Sequence, residues 1–441
     1  MHRVGWKIFA VKLMALIAIF SMTLLNACDN SAEADASESK AKSSLSKKTY
    51  PDSFKPNDKE YPYANIPRIV IYTENQQKIK DRETEIPAKL QIWGTKEAES
   101  EIMDLTIRGR GNTSWSDMPK KSYKIEFEKK QSMLGMPKDK DWALISNYAD
   151  KTLMRNFIAY QLSAALGAYY APRCEFVEFY LNGEYLGVYL LTETIKIGKN
   201  RVNISNDDYS YIVEADGKYG DDEQIVFSDV LMTGDEKKPF RIHDPKNATK
   251  IVLDTIQNHI RKFEKYLLTI DSGRNNNIED WIYVDECVKH YWVQEFAKNP
   301  DAGFYTSVYF SWVKDEKIKM GPVWDFDLAF GGHSNESVVK PEKWYIKTGY
   351  WHSYIFKDSI ANQVRLVFWK ENRSIFAKLI DVADSIRVLL NDVAKNNFKR
   401  WNILKSTEYV YHRHSYDSYK DAVEKLKEWI QIRIKWIDEH I

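Results

Sequence analysis

Asp325 and Asp327 stand two residues apart in the run Gly321-Pro322-Val323-Trp324-Asp325-Phe326-Asp327-Leu328-Ala329-Phe330-Gly331-Gly332. The run is otherwise apolar and aromatic, and a buried carboxylate is costly unless a cation or several hydrogen bonds satisfy it. On an extended segment the two side chains point to the same side. Two anionic oxygen ligands on one face suit a hard divalent cation such as Mg²⁺, which commonly takes one or two carboxylates together with phosphate oxygens. Gly331 and Gly332 permit a sharp turn beside them. The competing use of the same residues is a strand whose aspartates cap a turn.

A second stretch has a different chemistry. In Arg108-Gly109-Arg110-Gly111-Asn112-Thr113-Ser114-Trp115 glycines alternate with arginines and then give way to small polar residues. Such a loop exposes backbone N–H groups beside guanidinium forks, which suits phosphate. Arg108 and Arg110 would either hold phosphate or brace an acidic neighbour. Pro119 then leads into Lys120-Lys121-Ser122-Tyr123-Lys124-Ile125-Glu126-Phe127. Its alternation turns Tyr123, Ile125 and Phe127 towards a core and Ser122, Lys124 and Glu126 the other way.

The elements that must position these residues read as α+β. Residues 68–72 and 88–93 have strand-like alternation. Asp150 starts a helix in which Leu153, Phe157, Ile158, Leu162 and Leu166 recur at helical spacing, with Gly167 as its stop. Residues 176–181 and 185–191 flank Asn182-Gly183, a strong hairpin signal, and Glu193 sits just beyond. Residues 211–214 make one more short strand. From about residue 250 helical spacing takes over at 251–268 and 281–296, ending at Lys298-Asn299-Pro300-Asp301. A strand over 303–312 and a turn at 314–317 return the chain to Asp325. Further helices are expected over 373–398 and 416–440.

The start of the chain is a processing signal. His2, Arg3, Lys7 and Lys12 are basic, and residues 13–27 carry no charge. That run is short for a membrane span, which needs about 20 residues, and reads as a secretory signal peptide over 1–27. Leu25-Asn26-Ala27-Cys28 resembles the bacterial lipoprotein box, which implies cleavage before Cys28 and lipid on its sulfur. Residues 28–58 form a tether rich in Ser, Ala, Asp, Glu and Lys, with too little apolar surface to order itself. The folded part is then 59–441. With 44% hydrophobic residues, 29% charged and a net charge of +1, the composition is globular and offers no general attraction to nucleic acid. Cys174 and Cys287 are the remaining cysteines and give no zinc pattern. Fourteen Trp and 27 Tyr supply core, and also material for a platform under sugar rings.

Four stretches together carry a resemblance: Arg108–Trp115, Pro119-Lys120-Lys121-Ser122-Tyr123, Leu181-Asn182-Gly183-Glu184-Tyr185-Leu186-Gly187-Val188-Tyr189, and Trp324-Asp325-Phe326-Asp327. In this order they resemble the CotH kinase family, over about residues 65 to 435. The resemblance implies a two-lobed protein-kinase-like fold, with a β-rich N-terminal lobe (about 65–215) and a mainly helical C-terminal lobe (about 216–441). It also implies transfer of phosphate from ATP, with Mg²⁺ or Mn²⁺, to protein serine. Asp325 then corresponds to the metal-binding aspartate, with Asp327 as a second ligand or its support. Asp301 corresponds to the catalytic aspartate; the alternative is an Asn-Pro-Asp turn that ends a helix. Lys121, or else Lys124, would hold the nucleotide phosphates with Arg108, Arg110 and Asn112. Glu193 would contact adenine or ribose, or be structural. Position 306, where ordinary kinases carry a metal-binding Asn, is Thr, followed by Ser307. The implied protein is a kinase of the bacterial cell envelope, lipid-anchored at Cys28, acting on a protein with accessible serines. Two other classes compete: a surface binding or structural lipoprotein that grips polysaccharide, and a glycoside hydrolase, whose two carboxylates would have to straddle the bond.

Overall fold

Alternating apolar positions build the first half of the molecule. Tyr123, Ile125 and Phe127 of β4 (Ser122–Gln131) are buried in one core with Ile71, Leu90, Ile107, Trp142, Phe179 and Leu191. These side chains fill the inside of a closed seven-stranded barrel. Its other strands are β1 (Arg68–Thr73), β2 (Ile86–Trp93), β3 (Met103–Arg110), β5 (Asp139–Ile145), β6 (Cys174–Leu181) and β7 (Glu184–Glu193). Neighbours follow the order β1-β2-β3-β4-β5-β7-β6, and β6 closes on β1 in parallel. Closure removes the unpaired edges of an open sheet. Asn182 and Gly183 turn β6 into β7 with φ values of 52° and 82°, the left-handed pair that matches the twist of a two-residue hairpin.

The computed structural model describes residues 49–441 apart from 95–98, 206, 208, 221–223, 234–235 and 408–413. The leader, Cys28 and most of the tether lie outside the described residues. From Lys48 to Ile441 the chain forms one unit. No helix among the described residues is long and apolar enough to cross a membrane.

The second half is mixed. A five-stranded sheet joins β8 (Ser210–Ala215), β9 (Ile225–Thr233), β10 (Glu236–Asp244), β11 (Val308–Val313) and β12 (Lys319–Met320) in the order β12-β11-β8-β10-β9. The helices are α1 (Thr113–Ser116), α2 (Arg155–Ala165), α3 (Lys250–Leu267), α4 (Val284–Ala297), α5 (Glu336–Val339), α6 (Tyr350–Ile355), α7 (Ser359–Ala377), α8 (Leu379–Arg400) and α9 (Tyr419–His440). The β-rich first part and helical last part agree with the α+β expectation; the clear two-lobed kinase arrangement does not appear. The first part is a closed barrel, and β8, expected in the first lobe, pairs with β10 and β11 from the second. The β9–β10 hairpin escaped the sequence reading, because its charged residues hide the alternation.

Barrel and helices are tied by α8. The Asn397 side-chain oxygen accepts from the Val188 N–H and from Lys120 Nζ, both at 3.0 Å, and Lys120 also donates to the Val188 carbonyl at 2.5 Å. Full burial holds the Lys120 pKa well below the usual lysine value. Cys174 and Cys287 are both buried and free, and burial pushes the Cys287 thiol up to about 12.

Candidate active site

The site begins with the cap of α2. Asp150 accepts from the backbone N–H groups of Thr152 and Arg155, both at 2.8 Å, and its carboxylate pairs with the Arg155 guanidinium. The helix starts at Arg155, later than expected, and Asp150, five residues upstream, accepts from its first N–H. At the second residue of the helix, Asn156 Oδ1 accepts from the Phe326 N–H at 2.7 Å, and a turn later the Tyr160 ring stacks on Trp324 at 5.7 Å. So α2 holds the residues on both sides of Asp325, Phe326 through its backbone N–H and Trp324 through its ring. Asp325 has φ 63°, a left-handed conformation that Asp tolerates better than most residues.

The end of α4 sets Asp301 against the same segment. Lys298 ends the helix with φ 45°. The buried Asn299 follows. Its Oδ1 accepts from the Asp301 N–H at 3.2 Å, and its Nδ2 donates to the Asp325 carbonyl and to Gln294 Oε1, both at 3.0 Å. One amide thus fixes the two acidic segments relative to each other.

The third wall is the glycine stretch. Arg108-Gly109-Arg110 is the end of β3, and Gly111-Asn112 turns into α1. A Cβ on Gly109 would stand 2.5 Å from the Trp115 ring and 2.6 Å from the Asp81 carbonyl, so only glycine fits there. Arg110 lies over the Trp324 ring at 4.8 Å.

These walls enclose a cleft of about 570 Å³. Asp301, Asp325 and Asp327 line it, together with Arg108, Arg110 and Asn112. Burial, then the neighbouring Asp325, pushes Asp301 up to about 7, while Lys218 opposes the shift. Burial also raises Asp325 against the pull of Arg110 and Lys218. Asp327 is pushed well above the carboxylate range by burial and by Asp325 and Asp301. The side chains of Asp325 and Asp327 are hydrogen-bonded to each other. Mutual repulsion of this kind is relieved by a proton or by a cation. Among the described residues no group of three or more His, Cys, Asp or Glu is arranged to hold a metal by itself. The oxygen donors nonetheless fit Mg²⁺, which needs only one or two protein carboxylates when phosphate and water complete its shell.

The structure does not bring Lys121, Lys124 or Glu193 to this cleft. The Lys121 ammonium donates to the Trp115 carbonyl and lies 5.7 Å from that residue's ring. Lys124 pairs with Glu126 at 2.8 Å and Asp141 at 2.7 Å. Glu193 is fully buried between Arg201 at 2.6 Å and Arg173 at 2.8 Å and accepts from the Tyr170 hydroxyl. The positions of Lys124 and Glu193 follow from charge pairing, and that of Lys121 from a carbonyl and a ring, none of which sequence spacing reveals. Arg108 takes the bracing option, with Glu85 at 3.6 Å and the Arg82 carbonyl as partners. Asn112 accepts from Arg82 at 2.5 Å.

The cleft also contains residues that sequence reasoning missed. Glu214 and Asp216 lie at the end of β8, and Arg241 of β10 pairs with both. Burial tends to raise Glu214, but hydrogen bonds and charge from His243 and Arg241 outweigh it and hold the carboxylate at about 2. The Thr306 hydroxyl donates to Asp216 at 3.0 Å. Glu214-Ala215-Asp216 repeats the carboxylate spacing of Asp325 and Asp327 at a strand end, a signal that was open to reading. Nothing in the sequence marks Asn156 or Lys218.

A comparison with curated proteins found no match. The family described as CotH kinase protein matches residues 107–437, three quarters of the chain, and that span holds Asp301, Asp325, Asp327 and the glycine stretch. The match covers the segments from which these acids converge, and the chain belongs to the CotH kinase family, which suggests a kinase-like protein.

Proposed function

We propose that this is an exported, lipid-anchored protein-serine kinase that transfers the γ-phosphate of ATP to serines of a surface or secreted protein. The observation that carries the reading is the convergence of Asp301, Asp325 and Asp327 in one cleft beside Arg110. Family membership implies ATP and metal use in general; Mg²⁺ or Mn²⁺ and the individual roles belong to the proposal. Asp325 holds the cation, and Asp327 joins or supports it. When bound, the cation neutralises phosphate charge. Asp301 accepts the proton of the serine hydroxyl, for which its raised proton affinity near neutrality is suited. Asn299 keeps Asp301 and Asp325 in register through its hydrogen bonds. The barrel serves as the nucleotide side and the remainder as the acceptor side of a kinase-like division of labour.

Export and anchoring rest on the short uncharged run ending at Leu25-Asn26-Ala27-Cys28. They place the protein in the bacterial cell envelope. Labelling with a fatty-acid analogue tests this: wild type takes up label and Cys28→Ala does not, whereas equal labelling overturns the anchor. A second reading, a binding lipoprotein on this scaffold, is favoured by one observation: the ammonium groups of Lys121 and Lys124 are engaged outside the cleft. Transfer of labelled phosphate from ATP to a serine-rich protein, with Mg²⁺ or Mn²⁺, separates the two. Transfer by wild type supports the kinase. Its absence with every acceptor tried moves the assignment to the scaffold.

A further inference from the structure

We infer that Lys218, acting with Arg110, is the cationic grip of the cleft on a polyphosphate. The inference rests on the kinase reading and supplies the residue it lacks, since neither Lys121 nor Lys124 reaches the site. Three of the six lysines and arginines on the cleft wall are already engaged. Arg82 donates to the Gly111 carbonyl and Asn112, Arg108 faces Glu85, and Arg241 is paired with Glu214 and Asp216. Arg110, Lys218 and Lys246 line the same cleft and enter no ion pair among the described residues; of these, Arg110 and Lys218 act electrostatically on Asp325.

Their placement is complementary. Arg110 comes from the last residue of β3 and lies over Trp324, next to Asp325. Lys218 comes from the turn after β8. Its backbone is anchored, because its N–H donates to Asp216 at 2.9 Å and the Gly217 N–H to the Tyr305 carbonyl at 2.7 Å. Its side chain is exposed and reaches the glycine stretch, where Nζ stands 3.4 Å from the Thr113 hydroxyl oxygen and 5.5 Å from the centre of the Tyr305 ring. That single long contact leaves the ammonium with donors to spare. Lys218 therefore joins the β8 side of the cleft to the glycine side. It acts electrostatically on both Asp301 and Asp325. A polyphosphate entering beside three carboxylates needs compensating charge on the wall as well as a cation, and these two side chains supply it.

Calorimetric titration of wild type, Lys218→Gln and Lys218→Arg with ADP and with inorganic tripolyphosphate tests the inference without requiring transfer. A thermal melt beside it checks the fold, which an exposed side chain should not disturb. Lys218→Gln should weaken both ligands about tenfold or more, as expected for loss of a charged hydrogen-bond donor, and Lys218→Arg should restore most of the affinity. If wild type binds and Lys218→Gln binds equally well, the inference falls and the kinase reading stands. A larger loss in Lys121→Gln than in Lys218→Gln overturns it too. If wild type binds neither ligand, the kinase reading fails and takes the inference with it.

Discussion

The cleft and the ion-pair chain beside it use the same residue types with opposite results. In the chain, Lys124 pairs with Asp141, Lys196 with Asp141 and Asp139, and Arg201 and Arg173 with Glu193. Burial would raise Asp141, but hydrogen bonds from Lys124 and Lys196 overcome it and hold the group at about 2. In the cleft, Asp301, Asp325 and Asp327 act on one another, the cations that oppose their shifts are Arg110, Lys218 and, for Asp327, Arg155, and all three carboxyls are raised. A carboxylate with a bonded cation is part of the scaffold; a carboxylate held without one is prepared for a proton or a metal. The difference teaches that the pairing partner, more than the residue type, separates structural from functional charge here.

The comparison breaks first at Asp301. Asp301→Asn should lower phosphate transfer about 10²–10⁴-fold while the protein still folds and binds nucleotide. Labelled-ATP transfer checks it, and a well-folded variant with the wild-type rate removes Asp301 from the chemistry.

Glu193 should respond in the other currency. Glu193→Ala leaves the buried Arg201 guanidinium with only Asp139 at 4.0 Å in place of its close partner at 2.6 Å, at a cost of about 3–5 kcal/mol of folding stability. Denaturant unfolding measures this. A loss below about 1 kcal/mol would mean that the chain of pairs does not hold the barrel as described.

The third prediction is about sign. Asp301 has a folded pKa near 7, above that of an unfolded aspartate. Its contribution to stability is complete below about pH 4 and is lost as the pH rises through about 7. Asp301→Asn stays neutral, so it should match wild type at pH 4 and exceed it at pH 8 by about 1–2 kcal/mol, a figure reduced for partial solvent access. Melts at the two pH values decide it; a destabilised variant at pH 8 would contradict the unpaired-acid picture. The same proton makes kcat/KM for transfer rise through about pH 7.

Lys124→Gln should do least. Lys124 is about one-fifth exposed, and Asp141 keeps Lys196 as a partner. A loss of about 0.2–1 kcal/mol is expected, with no effect on nucleotide affinity. A clear drop in affinity would bring Lys124 into the site and blur the distinction between the two regions.

Local patterns made much of this molecule legible in its sequence. The alternation of Tyr123, Ile125 and Phe127 identified a core strand and Asn182-Gly183 identified the hairpin, because each is a relation among residues a few positions apart. Asp325 and Asp327 do line one cleft, but Asp325 is left-handed with φ 63°, not extended as the same-side spacing requires. Closure of the barrel, the sharing of β8 between the two halves, and the capture of Lys121, Lys124 and Glu193 by partners outside the cleft were not legible. The sequence alone determined which residues carry charge, where strands and helices begin to form, and which acids belong together by motif. Only the tertiary structure decided which charges are neutralised: Asn156, Asn299, Arg201 and Lys218 meet their partners across separations that no local period encodes, and Coulomb energy in a buried site depends on those few ångströms.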